Sequence, residues 1–124
     1  MKTTALVVDD SRAMRLILRH ILTGIGFEVA EAAHGRDALT YLEGHLDTEL
    51  ALIDWNMPEM NGLELVQAVR QNDRLRNLRM MMVTTETEMA NVTRAMEAGA
   101  DEYIMKPFSK EIVLEKLQLL GLPR

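Results

Sequence analysis

The sequence predicts an α/β domain in which a parallel five-stranded sheet is covered by helices on both faces. Three observations carry that prediction. Five short apolar runs alternate with five segments of helical period. The runs are continuously apolar rather than alternating, as strands covered on both sides require. The length, 124 residues, suits one domain, able to bury roughly two thirds of the surface its unfolded chain exposes.

The elements follow in order. Ala5-Leu6-Val7-Val8 is the first strand. Met14, Ile17, Leu18, Ile21 and Leu22 then form one face of a helix that Ser11 can cap and Gly24 and Gly26 end. Phe27 to Ala32 is the second strand. His34-Gly35 breaks it, and Ala38, Leu39 and Leu42 give a second helical face. Leu50 to Ile53 is the third strand, and a loop from Asp54 to Asn61 contains Pro58. The third helix, Gly62 to Gln71, turns Leu65, Val66 and Val69 inward. Met80 to Val83 is the fourth strand, its methionines being core packing. A helix through Val92, Ala95 and Met96 ends near Gly99. Tyr103-Ile104-Met105 is the fifth strand, and Ser109 caps a last helix with Val113, Leu117 and Leu120 inward. Right-handed crossovers leave few topologies for five such units. The flavodoxin-like (βα)5 order 2-1-3-4-5, a three-layer sandwich, is the leading one.

Composition narrows the function. Lys plus Arg is 14 and Asp plus Glu is 19, a net charge of −5, which argues against a mainly electrostatic nucleic-acid binder. Cysteine is absent, which excludes disulfides, thiolate zinc sites and cysteine nucleophiles and fits a reducing compartment. Hydrophobic residues make up 48% and charged residues 27%, an ordinary globular balance. Asp9 and Asp10 end the first apolar run too early for a signal peptide or a span, and no other run approaches spanning length. A soluble, cytoplasmic protein without a membrane partner is expected. No linker, repeat or low-complexity tract interrupts residues 1–124, so a single domain without an output domain is expected. A domain cut from a longer protein would read the same.

The polar residues are placed tellingly. In open α/β sheets, ligands bind beyond the carboxyl ends of the strands. The first strand ends in Asp9-Asp10, the third in Asp54, the fourth in Thr84-Thr85, and the fifth runs into Lys106-Pro107. The second strand, an edge in that order, ends in Ala32-Ala33 and offers nothing reactive. Three carboxylates together need a cation or raised pKa values. Two or three oxygen ligands with room for water suit Mg²⁺, and no His or Cys stands ready to favour zinc. Lys106 adds positive charge and Thr84 a hydroxyl donor. Such a set can hold a phosphoryl group and neutralise its oxygens, and an aspartate can accept that group as an acyl phosphate.

These residues resemble the receiver domain of two-component response regulators. The likeness rests on Val7-Val8-Asp9-Asp10-Ser11; on Leu52-Ile53-Asp54 followed by Met57-Pro58 and Asn61-Gly62; on Val83-Thr84-Thr85; and on Lys106-Pro107-Phe108. Each piece is weak alone; in this order over almost the whole chain they are specific. The lone-domain length, Trp55 after Asp54, and Ala98-Gly99-Ala100-Asp101-Glu102-Tyr103 make the chain most similar to single-domain chemotaxis regulators of the CheY type. The resemblance implies a switch rather than an ordinary enzyme, one that catalyses its own phosphorylation and dephosphorylation. Asp54 would accept a phosphoryl group from a histidine kinase or phosphotransfer domain. Asp9, Asp10, Asp54 and the backbone carbonyl of Asn56 would hold Mg²⁺. Thr84 would hydrogen-bond the phosphoryl group, and Lys106, before a cis Lys106–Pro107 bond, would ion-pair with it. Tyr103 would turn inward with Thr84, and Asn56 and Glu86 would tune how long the phosphoryl group lasts. The protein would act as a monomer on an effector such as a flagellar motor switch component. The alternatives are a phosphorelay intermediate or a receiver excised from a longer regulator.

Blander roles compete for each residue. Asp9-Asp10 could only favour a helix N-terminus, Asp54 could be a loop carboxylate, Thr84 a β-former, Lys106 a solvated lysine and Tyr103 a half-buried strand residue. The histidines His20, His34 and His45 show no ligand pattern and read as surface or helix-end residues. Pro58 and Gly62 read as loop geometry. Three rival functions also share parts of the pattern. A flavodoxin-like FMN carrier needs a hydroxyl-rich phosphate loop where Asp9 and Asp10 stand, and aromatic residues are only 4%. A haloacid-dehalogenase-type phosphatase needs a second aspartate where Asn56 stands, and its nucleophile sits on the first strand. A pseudo-receiver would lack an acidic residue, the hydroxyl or the lysine, and none is missing.

Overall fold

The computed structural model describes residues 3–123. Five strands, β1 (Thr3–Val8), β2 (Phe27–Ala32), β3 (Leu50–Asp54), β4 (Arg79–Thr84) and β5 (Glu102–Met105), alternate with five α-helices. These are α1 (Arg12–Ile25), α2 (Gly35–Gly44), α3 (Gly62–Arg70), α4 (Val92–Ala98) and α5 (Lys110–Leu119). All strand pairs are parallel, in the order β2-β1-β3-β4-β5. This is the flavodoxin-like order the sequence predicts.

Strand periodicity divides the core in two. Leu6 and Val8, Ala51 and Ile53, and Met80 and Met82 face α2, α3 and α4, where they meet Leu42, Leu65, Val66, Val69 and Ala95. Ala5 and Val7, Leu50 and Leu52, and Met81 and Val83 face α1 and α5, where they meet Leu18, Leu22, Val113 and Leu117. The central strands are thus buried on both sides, which explains their unbroken apolar runs. The edge strands β2 and β5 each keep an exposed residue among half-buried ones, Glu28 and Met105.

Capping follows the sequence. Ser11 Oγ accepts from Met14 N, and Ser109 Oγ accepts from Ile112 N. Asn61 and Glu64 form a reciprocal capping box at α3. Gly26 closes α1 at a φ of 124°, a conformation that favours glycine; Gly24 lies inside the helix. His34 caps α2 and pairs with Asp37, His45 stacks on Tyr41 beyond the end of α2, and His20 is exposed on α1.

Three further expectations, besides the place of Gly24, are corrected. Ile17 is 49% exposed. At about 100° per residue it lies roughly 120° round α1 from the middle of the buried Leu18–Leu22 ridge, so the apolar stripe is wider than the buried face. Met96 sits on the solvent rim of α4, beside the buried ridge of Val92 and Ala95. The fourth helical segment also begins earlier than its apolar period shows. Glu86–Asn91 is a 3₁₀ helix that buries no residue and runs directly into α4.

Candidate functional site

The parallel register brings the polar residues together. Val8 pairs with Ile53, Asp54 with Val83, and Thr84 with Met105. One residue beyond the first pair, Asp9 comes level with Asp54 on the neighbouring strand. Lys106 leaves β5 one residue beyond Met105, and its backbone N–H donates to the Thr84 carbonyl at 2.6 Å. Asp9, Asp54 and Thr84 are all buried, while Asp10 is exposed at the rim.

Lys106 lies between the two buried carboxylates. Its Nζ donates to Asp54 Oδ1 at 3.0 Å and stands 3.9 Å from Asp9 Oδ2. The Lys106–Pro107 bond is cis. Asp9 is fixed by the loop that starts α1: Ser11 N donates to Asp9 Oδ1 at 2.8 Å, and Arg15 Nη1 donates to the Asp9 carbonyl at 2.7 Å. Arg15 and Arg19 in turn pair with Glu31 of β2, whose carboxyl is held below its usual range: the two arginines together outweigh the upward push of burial.

Burial dominates the electrostatics of the site. Burial pushes the Asp54 carboxyl up to about 6; Asp9 and Glu88 push the same way, and the Lys106 hydrogen bond and charge oppose. Burial also raises Asp9, outweighing the Ser11 N–H and Lys106, and Asp10 adds to the rise. Burial pulls Lys106 down, but its hydrogen bond to Asp54 and the surrounding carboxylates leave it raised. Among the described residues, Asp9 Oδ2 is buried without a hydrogen-bond partner. One carboxylate oxygen from each of Asp9, Asp10 and Asp54 lies within 4.8 Å of the others. An all-oxygen donor set with a buried, unpartnered lone pair and an exposed side for water fits a hard divalent cation.

The remaining expected residues sit around this centre. Thr84 Oγ1 donates to the Thr85 carbonyl at 3.3 Å rather than to Asp54. Asn56 is exposed in the loop after Asp54, and Trp55 is buried in the core on the α2–α4 side. Gly62 cannot carry a Cβ, which would meet the Asp54 carbonyl at 2.8 Å. Tyr103 is half-buried against the same core, with Lys116 Nζ 4.7 Å from its ring centre. Glu86 is exposed at the start of the 3₁₀ helix. The carboxylate that reaches Asn56 belongs instead to Glu88, which accepts from Asn56 Nδ2. Sequence reasoning did not single out Glu88, although Thr85-x-x-Glu88 is a readable capping box. It also missed the Arg70–Asp101 pair, in which Arg70 reaches from α3 to the Leu78 and Gly99 carbonyls and Asp101 accepts from Met80 N.

Comparison with known proteins agrees with this arrangement. Residues 5–118 match the family model described as response regulator receiver domain. The chain is 46% identical over 116 residues to the chemotaxis protein CheY1 of Helicobacter pylori, covering 93% of this chain and 94% of that one. It is 46% identical over 114 residues to the chemotaxis protein CheY homolog of Campylobacter jejuni, covering 91% and 88%. The solved structure of Vibrio cholerae chemotaxis protein CheY4 superposes with a TM-score of 0.88 at 35% identity, covering 96% of this chain and 98% of that one.

Proposed function

The chain belongs to the response regulator receiver domain family, and from that premise we propose that it is a phosphorylation-driven switch with Asp54 as acceptor. The observation that carries the reading is the buried Asp54 carboxylate, held by Lys106 at 3.0 Å and grouped with Asp9 and Asp10. An Asp54 oxygen attacks the phosphorus of a phosphohistidine on a histidine kinase or phosphotransfer domain. The P–N bond breaks, and the departing imidazole takes up a proton. The product is an acyl phosphate, whose later hydrolysis returns the carboxylate and inorganic phosphate.

Each neighbour has a task. Asp9, Asp10, Asp54 and the Asn56 backbone carbonyl would hold Mg²⁺, which supplies positive charge to the phosphoryl oxygens. Lys106 keeps its charge beside the accepted group. The Thr84 hydroxyl, spent on a carbonyl in the resting form, can turn to donate to a phosphoryl oxygen. Its movement vacates space toward β5, into which Tyr103 can rotate, changing the face formed by α4, β5 and α5. Asn56 and Glu86, at the mouth, govern how water reaches the acyl phosphate. The names of the relatives point to chemotaxis; a flagellar motor switch component as effector and a cytoplasmic monomer as the working form belong to the proposal.

Acetyl phosphate with Mg²⁺ tests the acceptor. One acid-stable, base-labile phosphoryl group per chain is expected, and Asp54→Asn removes it. Stoichiometric labelling of that variant at the wild-type rate would show that another residue is the acceptor.

A further inference from the structure

Glu88 joins the loops that follow β3 and β4 beside the site. One carboxylate oxygen, Oε1, accepts from Thr85 N at 3.0 Å and from Thr85 Oγ1 at 3.1 Å. The other, Oε2, accepts from Asn56 Nδ2, 32 residues away in sequence. A helix cap accounts for the first oxygen alone. The second ties the loop after β3, which follows Asp54, to the loop after β4, which follows Thr84. The charge lies near enough to Asp54 and Lys106 to shift both.

We propose that Glu88 is a positioning residue that latches these loops together in the unphosphorylated protein and is displaced when Asp54 carries a phosphoryl group. This rests on the reading of Asp54 as acceptor. A phosphoryl group brings about two negative charges to Asp54. It repels the Glu88 carboxylate and draws Thr84 the other way, while Asn56 Nδ2 gains a competing acceptor. Thr85 cannot follow Thr84 and also keep both of its hydrogen bonds to an unmoved Glu88. The latch therefore belongs to the resting state, and its removal favours the phosphorylated one.

Glu88→Gln separates the two oxygens. The glutamine can still cap Thr85 through its carbonyl, but it turns an amide NH₂ toward the Asn56 NH₂, and the bridge is lost together with the charge. Asn56→Ala removes the bridge and keeps the charge. Beryllofluoride with Mg²⁺ is the probe, read by Trp55 fluorescence. Glu88→Gln is expected to bind it about tenfold more tightly than wild type, since it loses both the hydrogen bond to a charged acceptor at a half-exposed site and the charge that opposes the phosphoryl mimic. Asn56→Ala should tighten binding less, and the double variant should fall well short of the product of the two effects. A second readout needs neither metal nor phosphoryl mimic. The Asn56 side-chain amide protons of the metal-free wild type should resonate away from free-carboxamide positions and move there in Glu88→Gln. Wild-type affinity in Glu88→Gln, multiplicative effects, or a free Asn56 amide in the wild type would each overturn the latch. A wild-type protein that ignores beryllofluoride altogether would overturn the acceptor reading, and the latch with it.

Discussion

Replacing Asp54 by asparagine should stabilise the metal-free protein, and the gain should grow with pH. The folded carboxyl has its pKa pushed from 3.8 to about 6, so the folded chain holds this proton more tightly than the unfolded chain. The sign follows directly. Below about pH 4 both states are largely protonated and the residue costs little. Between 4 and 6 the unfolded state has released its proton and the folded state has not, so stability falls as pH rises. Above 6 both are ionised and the whole cost is present. Two pH units at about 1.36 kcal/mol each give roughly 3 kcal/mol. The Asp54 side chain is only 7% exposed, so solvent screening removes little of this.

Asparagine cannot titrate, is nearly the same size and leaves a carbonyl for Lys106. Urea unfolding in EDTA at pH 4.5 and 7.5, for wild type and Asp54→Asn, measures the difference. By the same linkage the cost of the carboxylate is about 1 kcal/mol at the lower pH and about 3 at the higher. The advantage of the variant should therefore widen by about 2 kcal/mol. Mg²⁺ should stabilise the wild type and narrow the gap at pH 7.5. A variant less stable than wild type at pH 7.5, or an advantage that does not change with pH, would refute the view that Asp54 is a strained, buried charge.

Three other outcomes are expected. Mg²⁺ should change Trp55 fluorescence weakly and saturably, fading in acid as the carboxylates protonate, and Asp10→Ala should abolish the response in a fluorescence titration. Tyr103→Ala should leave labelling by acetyl phosphate near normal while removing about 1–3 kcal/mol of phosphorylation-dependent partner affinity; the full wild-type difference with and without beryllofluoride would make Tyr103 a packed strand residue only. Replacing Asn56 and Glu86 together by bulky apolar residues should slow loss of the phosphoryl group in a decay assay, and unchanged decay would mean that water enters elsewhere.

The sheet was legible because its strands obey simple rules. Buried on both faces, β1, β3 and β4 read as unbroken apolar runs, and glycine or polar residues mark their ends. The site was legible for a related reason. Parallel register aligns strand ends, so Asp9, Asp54, Thr84 and Lys106 could be placed together from their positions at those ends alone. Glu88 and Arg70 escaped because their roles rest on single side chains reaching 32 and 31 residues along the chain, which no local period encodes. The 3₁₀ helix Glu86–Asn91 escaped because it buries no residue and so leaves no apolar stripe. Ile17 shows the converse, an apolar residue at helical spacing that the fold does not bury.

The sheet also decides where strain at Asp54 can be relieved. Strands β1, β3 and β4 carry residues of 0–2% exposure from both cores, and close-packed interiors do not deform gradually. On the β2 side, Arg15 and Arg19 clamp Glu31, and Arg15 also holds the Asp9 carbonyl. On the other side the Arg70–Asp101 and Lys116–Glu102 pairs hold the starts of β4 and β5, and the segments at the site end are looser. The 3₁₀ helix is unburied, Thr84 is bound to a neighbouring carbonyl at 3.3 Å, and Tyr103 is half-buried. A cost of about 3 kcal/mol at one carboxylate is comparable to the 1–3 kcal/mol that typically couples two sites. If Asp54 takes a phosphoryl group as proposed, the change of charge there would act more readily on this looser side than on the clamped β2 side. On the proposed reading of Asp54 as acceptor, this asymmetric packing would direct the response toward β4, β5 and the helices beside them.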